Sequence, residues 1–252
     1  MLKFCNVSVE VSKTPILKDI SVSFKEGKIT AIIGPNGCGK TTLLQTLNGM
    51  SKVTSGKILL NDEDFLLLGF RQRAKRLSFM PQFRDNNLNI SVKKLVEHGR
   101  FSYMGFTRKM SKEDKSAIMG ALEYTNLLDY KDKILNELSG GLQQRVFLSM
   151  QLAQNSPYMV MDEPMNFLDF ASKRDIYRLI RDLAKKGKTV VIVMHDIGQA
   201  LKLADEIVVM KDRKVVACNS PKACIDSGVI EEVFDCKIKS VEVDGETEYL
   251  VI

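Results

Sequence analysis

The sequence predicts an α/β fold: a mostly parallel sheet flanked by helices, with an antiparallel β part at the N-terminal end and an inserted α-helical subdomain. Three observations predict it. Continuous apolar runs at residues 29–33, 158–161, 189–194 and 207–210 alternate with helical stretches, as strands buried on both faces do. Ahead of all of them, residues 7–11 and 20–24 alternate apolar and polar, the mark of half-buried antiparallel strands. From Ser91 to about Asn155 the spacing turns helical and no strand signal interrupts it.

Taken in order, Ser12-Lys13-Thr14-Pro15 reads as the turn between the first two strands, and Glu26-Gly27 turns the chain into the apolar strand 29–33. That strand runs into Gly34-Pro35-Asn36-Gly37-Cys38-Gly39-Lys40-Thr41, which fits G-x-x-x-x-G-K-[ST], and a helix follows from Thr42 to a stop at Gly49. This is the chemistry of a phosphate-binding loop. Its glycines let successive backbone N–H groups turn toward phosphate oxygens, and the helix that leaves it points its positive end at them. Lys40 can reach the β- and γ-phosphates, and the Thr41 hydroxyl can ligate Mg²⁺. The core is therefore read as a P-loop NTPase.

Residues 57–60 read as another strand, with a tight turn at Asn61-Asp62. The basic run 71–76 reads as an exposed helical turn, since no aromatic residue interleaves it as in a nucleic-acid patch. Leu77-Ser78-Phe79-Met80 is a short buried strand ending at Pro81-Gln82. In the helical stretch Ser91 is a candidate N-cap, with Val92, Leu95 and Val96 on one face. Ser111 opens a second helix carrying Ile118, Leu122 and then Leu127-Leu128. Leu142, Val146 and Met150 mark a third, starting at Ser139 and ended by Pro157. The helix 173–186 has Ile176, Leu179, Ile180 and Leu183 on one face and closes at Gly187. The chain ends in a candidate hairpin, 241–245 and 248–251. As domains, residues 1–90 and 156–252 form one nucleotide-binding α/β core and 91–155 the inserted helical subdomain.

Two further motifs narrow the chemistry. Asp162-Glu163 closes an apolar strand, placing two carboxylates at the carboxyl edge of a sheet, where such folds bind ligands. Asp162 is placed to hold Mg²⁺ and Glu163 to polarise an attacking water. Leu138-Ser139-Gly140-Gly141-Leu142-Gln143-Gln144-Arg145 opens a helix with a hydroxyl and two glycines, which suits either an ordinary N-cap or a second anion site.

Bulk properties exclude several classes. The 252 residues are 44% hydrophobic and 27% charged, ordinary for a globular chain. The mild net charge of +6 suits an anionic membrane surface or nucleic acid but carries little weight, since scattered lysines usually form a solvated face. No apolar run is long enough to span a bilayer and no signal-peptide pattern opens the chain, which predicts a cytoplasmic protein. The five cysteines form no C-x-x-C pair, so neither zinc site nor disulfide framework is expected. Cys38 lies in the phosphate loop, where an exposed thiol would make the site sensitive to alkylation.

The ordered set of motifs resembles the ATP-binding subunits of ABC transporters across essentially the whole chain. Ser139, Gly140 and Gly141 match the family signature, Gln82 the Q-loop, Asn166-Phe167-Leu168-Asp169 the D-loop and His195 the switch histidine. The resemblance implies a head-to-tail dimer around ATP. The nucleotide would be held by Gly34 to Thr42 of one copy, including Pro35, Asn36, Gly37, Cys38, Gly39, Lys40 and Thr41, and closed over by Ser139, Gly140 and Gly141 of the other. Glu163, His195 and Lys40 would be catalytic, and Thr41, Gln82 and Asp162 would attend Mg²⁺. Asp169 would communicate between copies. The helical insert and Q-loop would dock on a polytopic membrane permease, with a substrate-binding protein as indirect partner, no nucleic acid, and a peripheral place on the cytoplasmic membrane face.

Within the family the stretches 32–40, 95–100 and 152–157 are most similar to ATPases of bacterial iron–siderophore, haem and cobalamin importers, the Gly99-Arg100 pair most particularly. A soluble assembly ATPase of the iron–sulfur type is the alternative. Two departures stand out. The aromatic residue the family stacks on adenine falls at about Val11, and the signature continues Leu142-Gln143-Gln144 in place of the commoner Gln-x-Gln. His98 matches no family position and reads as an ordinary surface residue.

Overall fold

The computed structural model describes residues 1–82, 88–105, 109–166, 168–243 and 245–252. They form two compact units, Met1–Leu68 with Ala184–Ile252, and Gly69–Leu183.

The first unit opens with β1 (Leu2–Val11) and β2 (Thr14–Phe24), antiparallel, and β3 (Ile29–Ile33) follows. Ser12 and Lys13 alone make the β1–β2 turn, both with positive φ, so Thr14 and Pro15 belong to the strand and not to the turn. Then come α1 (Lys40–Asn48), β4 (Ser55–Leu60) and the short β5 (Glu63–Asp64). Gly49, at φ 82°, ends α1 in the left-handed region that a residue without Cβ enters at little cost. β1 pairs with β4 as well as β2, giving a sheet in the order β2-β1-β4-β5.

In the second unit α2 (Phe70–Arg76) carries the basic run with no buried residue and leads into β6 (Leu77–Met80). The helices α3 (Val92–Glu97), α4 (Lys112–Tyr124) and α5 (Gly140–Gln154) follow, then β7 (Tyr158–Asp162) and α6 (Phe170–Lys185). Ser91 caps α3 by accepting from Lys94 N–H, and Ser111 with Asp114 forms a reciprocal capping box on α4. α4 stops before Leu127-Leu128. Asn126, at φ 55°, turns the chain, and Asn126 N–H and Leu127 N–H donate back to Glu123 and Leu122 carbonyls. Leu127 is buried there, while Leu128 is exposed. α5 likewise ends at Asn155 (φ 52°), two residues before Pro157. α6 starts three residues earlier than its apolar spacing predicts, because the Asp169 carboxylate accepts from Ser172 N–H (2.9 Å) and caps it.

The chain then completes the first unit with β8 (Thr189–Val193), α7 (Ile197–Leu203), β9 (Glu206–Lys211), β10 (Lys214–Asn219), α8 (Pro221–Asp226), α9 (Val229–Phe234), β11 (Ile238–Val243) and β12 (Glu246–Val251). β3 lies between β8 and β9, parallel to both, and β10 adds antiparallel at the outer edge of β9. Every residue of β3 and β8 is buried, which explains why these strands read as unbroken apolar runs. β11 and β12 form the terminal hairpin, packed on α7 through a Lys202–Glu248 ion pair. No helix among the described residues is long and apolar enough to cross a membrane.

Candidate functional site

In the first unit, two candidate segments leave one end of the sheet side by side. Ile32 and Val193 are register partners on β3 and β8, and Met194 N–H donates to Ile32 C=O (3.1 Å). The phosphate loop starts two residues beyond Ile32, and His195 stands two residues beyond Val193. Parallel register thus places the loop and the histidine at the carboxyl ends of adjacent strands. His195 is exposed, and the next residue, Asp196, caps α7 by accepting from Gln199 N–H.

Within the loop Pro35, Asn36 and Gly37 reach solvent while Gly34, Cys38 and Lys40 are buried. Lys40 heads α1, and its Nζ donates to the carbonyls of Gly34 (2.7 Å) and Pro35 (3.1 Å). The ammonium therefore sits inside the curve of its own loop, held by main-chain oxygens. Gly39 at φ 105° makes the bend that starts α1, a conformation a side chain would strain. Thr41 and Thr42, in the first turn, are half-buried. Cys38 is not the exposed thiol considered above. It is 5% exposed, and burial pushes its pKa up, only partly opposed by the Lys40 charge.

The second unit repeats the register device. Met80 of β6 is paired with Met161 of β7, in parallel, and two residues further each strand delivers a candidate residue, Gln82 and Glu163. Their side chains meet: Gln82 Nε2 donates to Glu163 Oε2 (2.5 Å). Asn166 Nδ2 donates to the same oxygen at 2.5 Å. Glu163 has φ 50°, so the chain turns sharply as it leaves β7, and Asn166 N–H closes the turn on Glu163 C=O (3.4 Å). Asp162, the last residue of β7, is 1% exposed. Each unit by itself carries hard oxygen donors of the kind Mg²⁺ prefers, the Thr41 hydroxyl in the first and the buried Asp162 carboxylate and the Gln82 amide oxygen in the second.

α5 presents Ser139 and Gly140 to solvent, with Gly141 buried behind them. Ser139 is the N-cap residue of α5, yet its hydroxyl makes no bond to the helix amides. Gly141 is required by close packing: a Cβ there would lie 2.2 Å from Ser172 Oγ. Ser172 Oγ in turn donates to Asp169 Oδ2 (2.7 Å), a bond that leads the contributions holding this exposed carboxylate below its ordinary pKa. Arg145 and Asp175 add an ion pair between α5 and α6. The signature turn and Asp169 are thus linked through Ser172. The sequence offered a signal for this, Asp followed at the third position by a small hydroxyl residue, but only contact with Gly141 gives it meaning. Phe167, between Asn166 and Asp169, lies outside the described residues.

The Gly99-Arg100 pair also has a packing reason. A Cβ on Gly99 would lie 2.3 Å from Met150 C=O on α5, and Arg100 is buried, donating to Asp114 Oδ1 (2.8 Å) and Ala153 C=O (2.9 Å) with its guanidinium over Tyr103. His98 is half-buried, its ring 4.6 Å from that of Phe101, and burial lowers its pKa, aided by the Lys94 charge.

Comparison with known proteins shows the family. The sequence profile of the ABC transporter family matches residues 17–166. The petrobactin import ATP-binding protein YclP of Bacillus subtilis (strain 168) is 37% identical over 98% of this chain and 97% of its own length. The ferric enterobactin transport ATP-binding protein FepC of Escherichia coli (strain K12) is 32% identical over 91% of this chain and 85% of its own. Among solved structures, a chain of a metal-chelate type ABC transporter in an inward-facing conformation shares the fold, with a TM-score of 0.86 over 100% of this chain and 97% of its own at 24% identity. This chain belongs to the ABC transporter family, as an ATP-binding and ATP-hydrolysing member.

Proposed function

We propose that two copies of this chain close head to tail around ATP and drive uptake of an iron–siderophore, haem, cobalamin or related metal-chelate cargo through a membrane permease. The observation that carries the dimer is Ser139. Its hydroxyl is exposed at the positive end of a fifteen-residue helix and does not cap that helix, which suits it to a phosphate presented by another molecule. The import reading rests on likeness to the petrobactin and ferric enterobactin proteins along nearly the full chain.

In this reading Lys40 and the N–H groups of residues 34–42 hold the phosphates, and Lys40 exchanges its two carbonyl partners for phosphate oxygens. Thr41, Asp162 and Gln82 would hold Mg²⁺, which would supply charge neutralisation at the phosphate oxygens. Glu163 takes a proton from the attacking water, and His195 contacts the γ-phosphate. Gly140 and Gly141 add main-chain donors from the opposite copy, and Asp169 carries the state of one site to the other. Residues 91–155 form the subdomain that, with the Q-loop, meets the permease. The protein then resides at the cytoplasmic membrane face.

The test is recovery of tagged Glu163→Gln protein from its native cells with ATP and Mg²⁺ after gentle detergent extraction. A polytopic membrane protein in stoichiometric amount supports the importer. A soluble scaffold in its place moves the chain to the assembly-ATPase class and overturns the import reading.

A further inference from the structure

Two side chains converge on one carboxylate oxygen in the second unit. Glu163 Oε2 accepts from Gln82 Nε2 and from Asn166 Nδ2, each at 2.5 Å. The two donors differ in how they are attached. Gln82 reaches Glu163 from another strand end, two residues past β6. Asn166 sits in the same turn as Glu163, three residues on, and its own N–H closes that turn on the Glu163 carbonyl. Main chain and side chain of Asn166 therefore grip main chain and side chain of Glu163.

Such a grip has a physical purpose here. Glu163 leaves β7 with φ 50°, a conformation that only a few per cent of non-glycine residues adopt. A long, flexible side chain on a strained turn has several rotamers to choose from, and proton abstraction works only from a geometry held to a fraction of an ångström. An amide donor fixed in the same turn selects one of them through its bond to Oε2.

We infer that Asn166 is a positioning residue for ATP hydrolysis: its side-chain amide, braced within the 163–166 turn, holds the Glu163 carboxylate in the orientation from which it takes the proton of the attacking water. This rests on the reading of Glu163 as general base. The bond between Asn166 and Glu163 does not require Gln82 to remain in place, so the base stays aimed if Gln82 turns to the metal.

The experiment measures steady-state ATP hydrolysis of the full chain with Mg²⁺ for four variants. Asn166→Ala is expected to lower kcat by about tenfold to a hundredfold with KM within about threefold of the parent, the pattern of an interaction used in the transition state and not in binding. Asn166→Ser, which keeps a short donor, recovers part of that loss. Asn166→Asp has nearly the same shape, but places a carboxylate where the donor was, and lowers kcat at least as far as Ala does. A merely structural role would leave Asp closest to the parent. Glu163→Gln separates the two claims. If it hydrolyses ATP briskly, the general-base reading fails, and this proposal with it. If Glu163→Gln is inactive while Asn166→Ala and Asn166→Asp both keep the parent kcat, the positioning role alone is overturned. A fall in KM-dependent binding equal to the fall in kcat/KM, at unchanged kcat, overturns it as well.

Discussion

Gln82 and Glu163 come from residues 81 positions apart, yet each stands two residues past the same register pair, Met80 opposite Met161, and their side chains are joined at 2.5 Å. The bond is a product of parallel pairing: two adjacent strands running the same way deliver their next residues to the same edge. Ile32 opposite Val193 does the same for the phosphate loop and His195 in the first unit.

Lys40→Ala is expected to lose nucleotide affinity more than tenfold, because it removes the one cation held inside the loop. Equilibrium binding of a fluorescent ATP analogue checks it; retained affinity would show that main-chain donors suffice.

Val11 is 58% exposed at the end of β1, next to the Ser12-Lys13 turn. An aliphatic side chain there offers no stacking surface, so ATP and GTP should be hydrolysed at comparable rates. Val11→Tyr should tighten ATP by a factor of about ten, since stacking of a base on an aromatic ring contributes about 1–3 kcal/mol. Unchanged affinity would mean that the base does not reach β1.

Gly141→Ala forces a methyl carbon to 2.2 Å from Ser172 Oγ. We expect a loss of about 1–3 kcal/mol in stability, as for overpacking generally, together with loss of hydrolysis. Ser172→Ala in the same chain should return part of the stability, as measured by urea unfolding; full additivity of the two changes would contradict the contact.

Arg100 and Asp114 form a buried ion pair, and truncating one partner strands the other's charge. Arg100→Ala should cost about 3–5 kcal/mol. Lys94→Ala, which breaks the exposed pair with Glu97, should cost less than about 1 kcal/mol. The pair also sets an acid limit. Burial acts to raise the Asp114 pKa, but bonds from Ser111 N–H and from Arg100 outweigh it and hold the carboxyl below its ordinary value. A depressed folded pKa means stability that is fully present above the unfolded value, about 3.9, and lost as pH falls through the folded one. Unfolding free energy should therefore decline below about pH 4, and the decline should be shallower in Asp114→Asn.

Thiol labelling tests the loop's packing. Cys218 is exposed while Cys38 and Cys224 are buried; desolvation pushes all three thiols up, so access is what separates them. Peptide mapping after brief maleimide treatment should find Cys218 modified at least about tenfold ahead of Cys38, because only an accessible thiolate reacts. Rapid labelling of Cys38 would mean that the loop opens.

Much of this was legible in the chain because local rules and tertiary demands agree. The buried strands β3, β7 and β8 announce themselves as apolar runs, and Ser91, Ser111 and Gly49 mark helix ends by chemistry that acts within four residues. The places where reading by periodicity fell short are helix ends decided by a residue off the apolar face. Asn126 stops α4 ahead of Leu127-Leu128, Asn155 stops α5 ahead of Pro157, and Asp169 starts α6 ahead of Lys173.

By itself the sequence determined the fold class, the phosphate loop, the acidic strand end and the serine–glycine helix start, since each is written in contiguous residues whose chemistry is local. Tertiary structure alone decided what those pieces do to one another within each unit. It brought Gln82 and Asn166 onto one oxygen of Glu163, set Ser172 against Gly141, folded Lys40 onto its own loop and buried Arg100 with Asp114. Those contacts follow from strand register and helix packing, which bring residues together from distant parts of the chain and leave no period in the sequence to read.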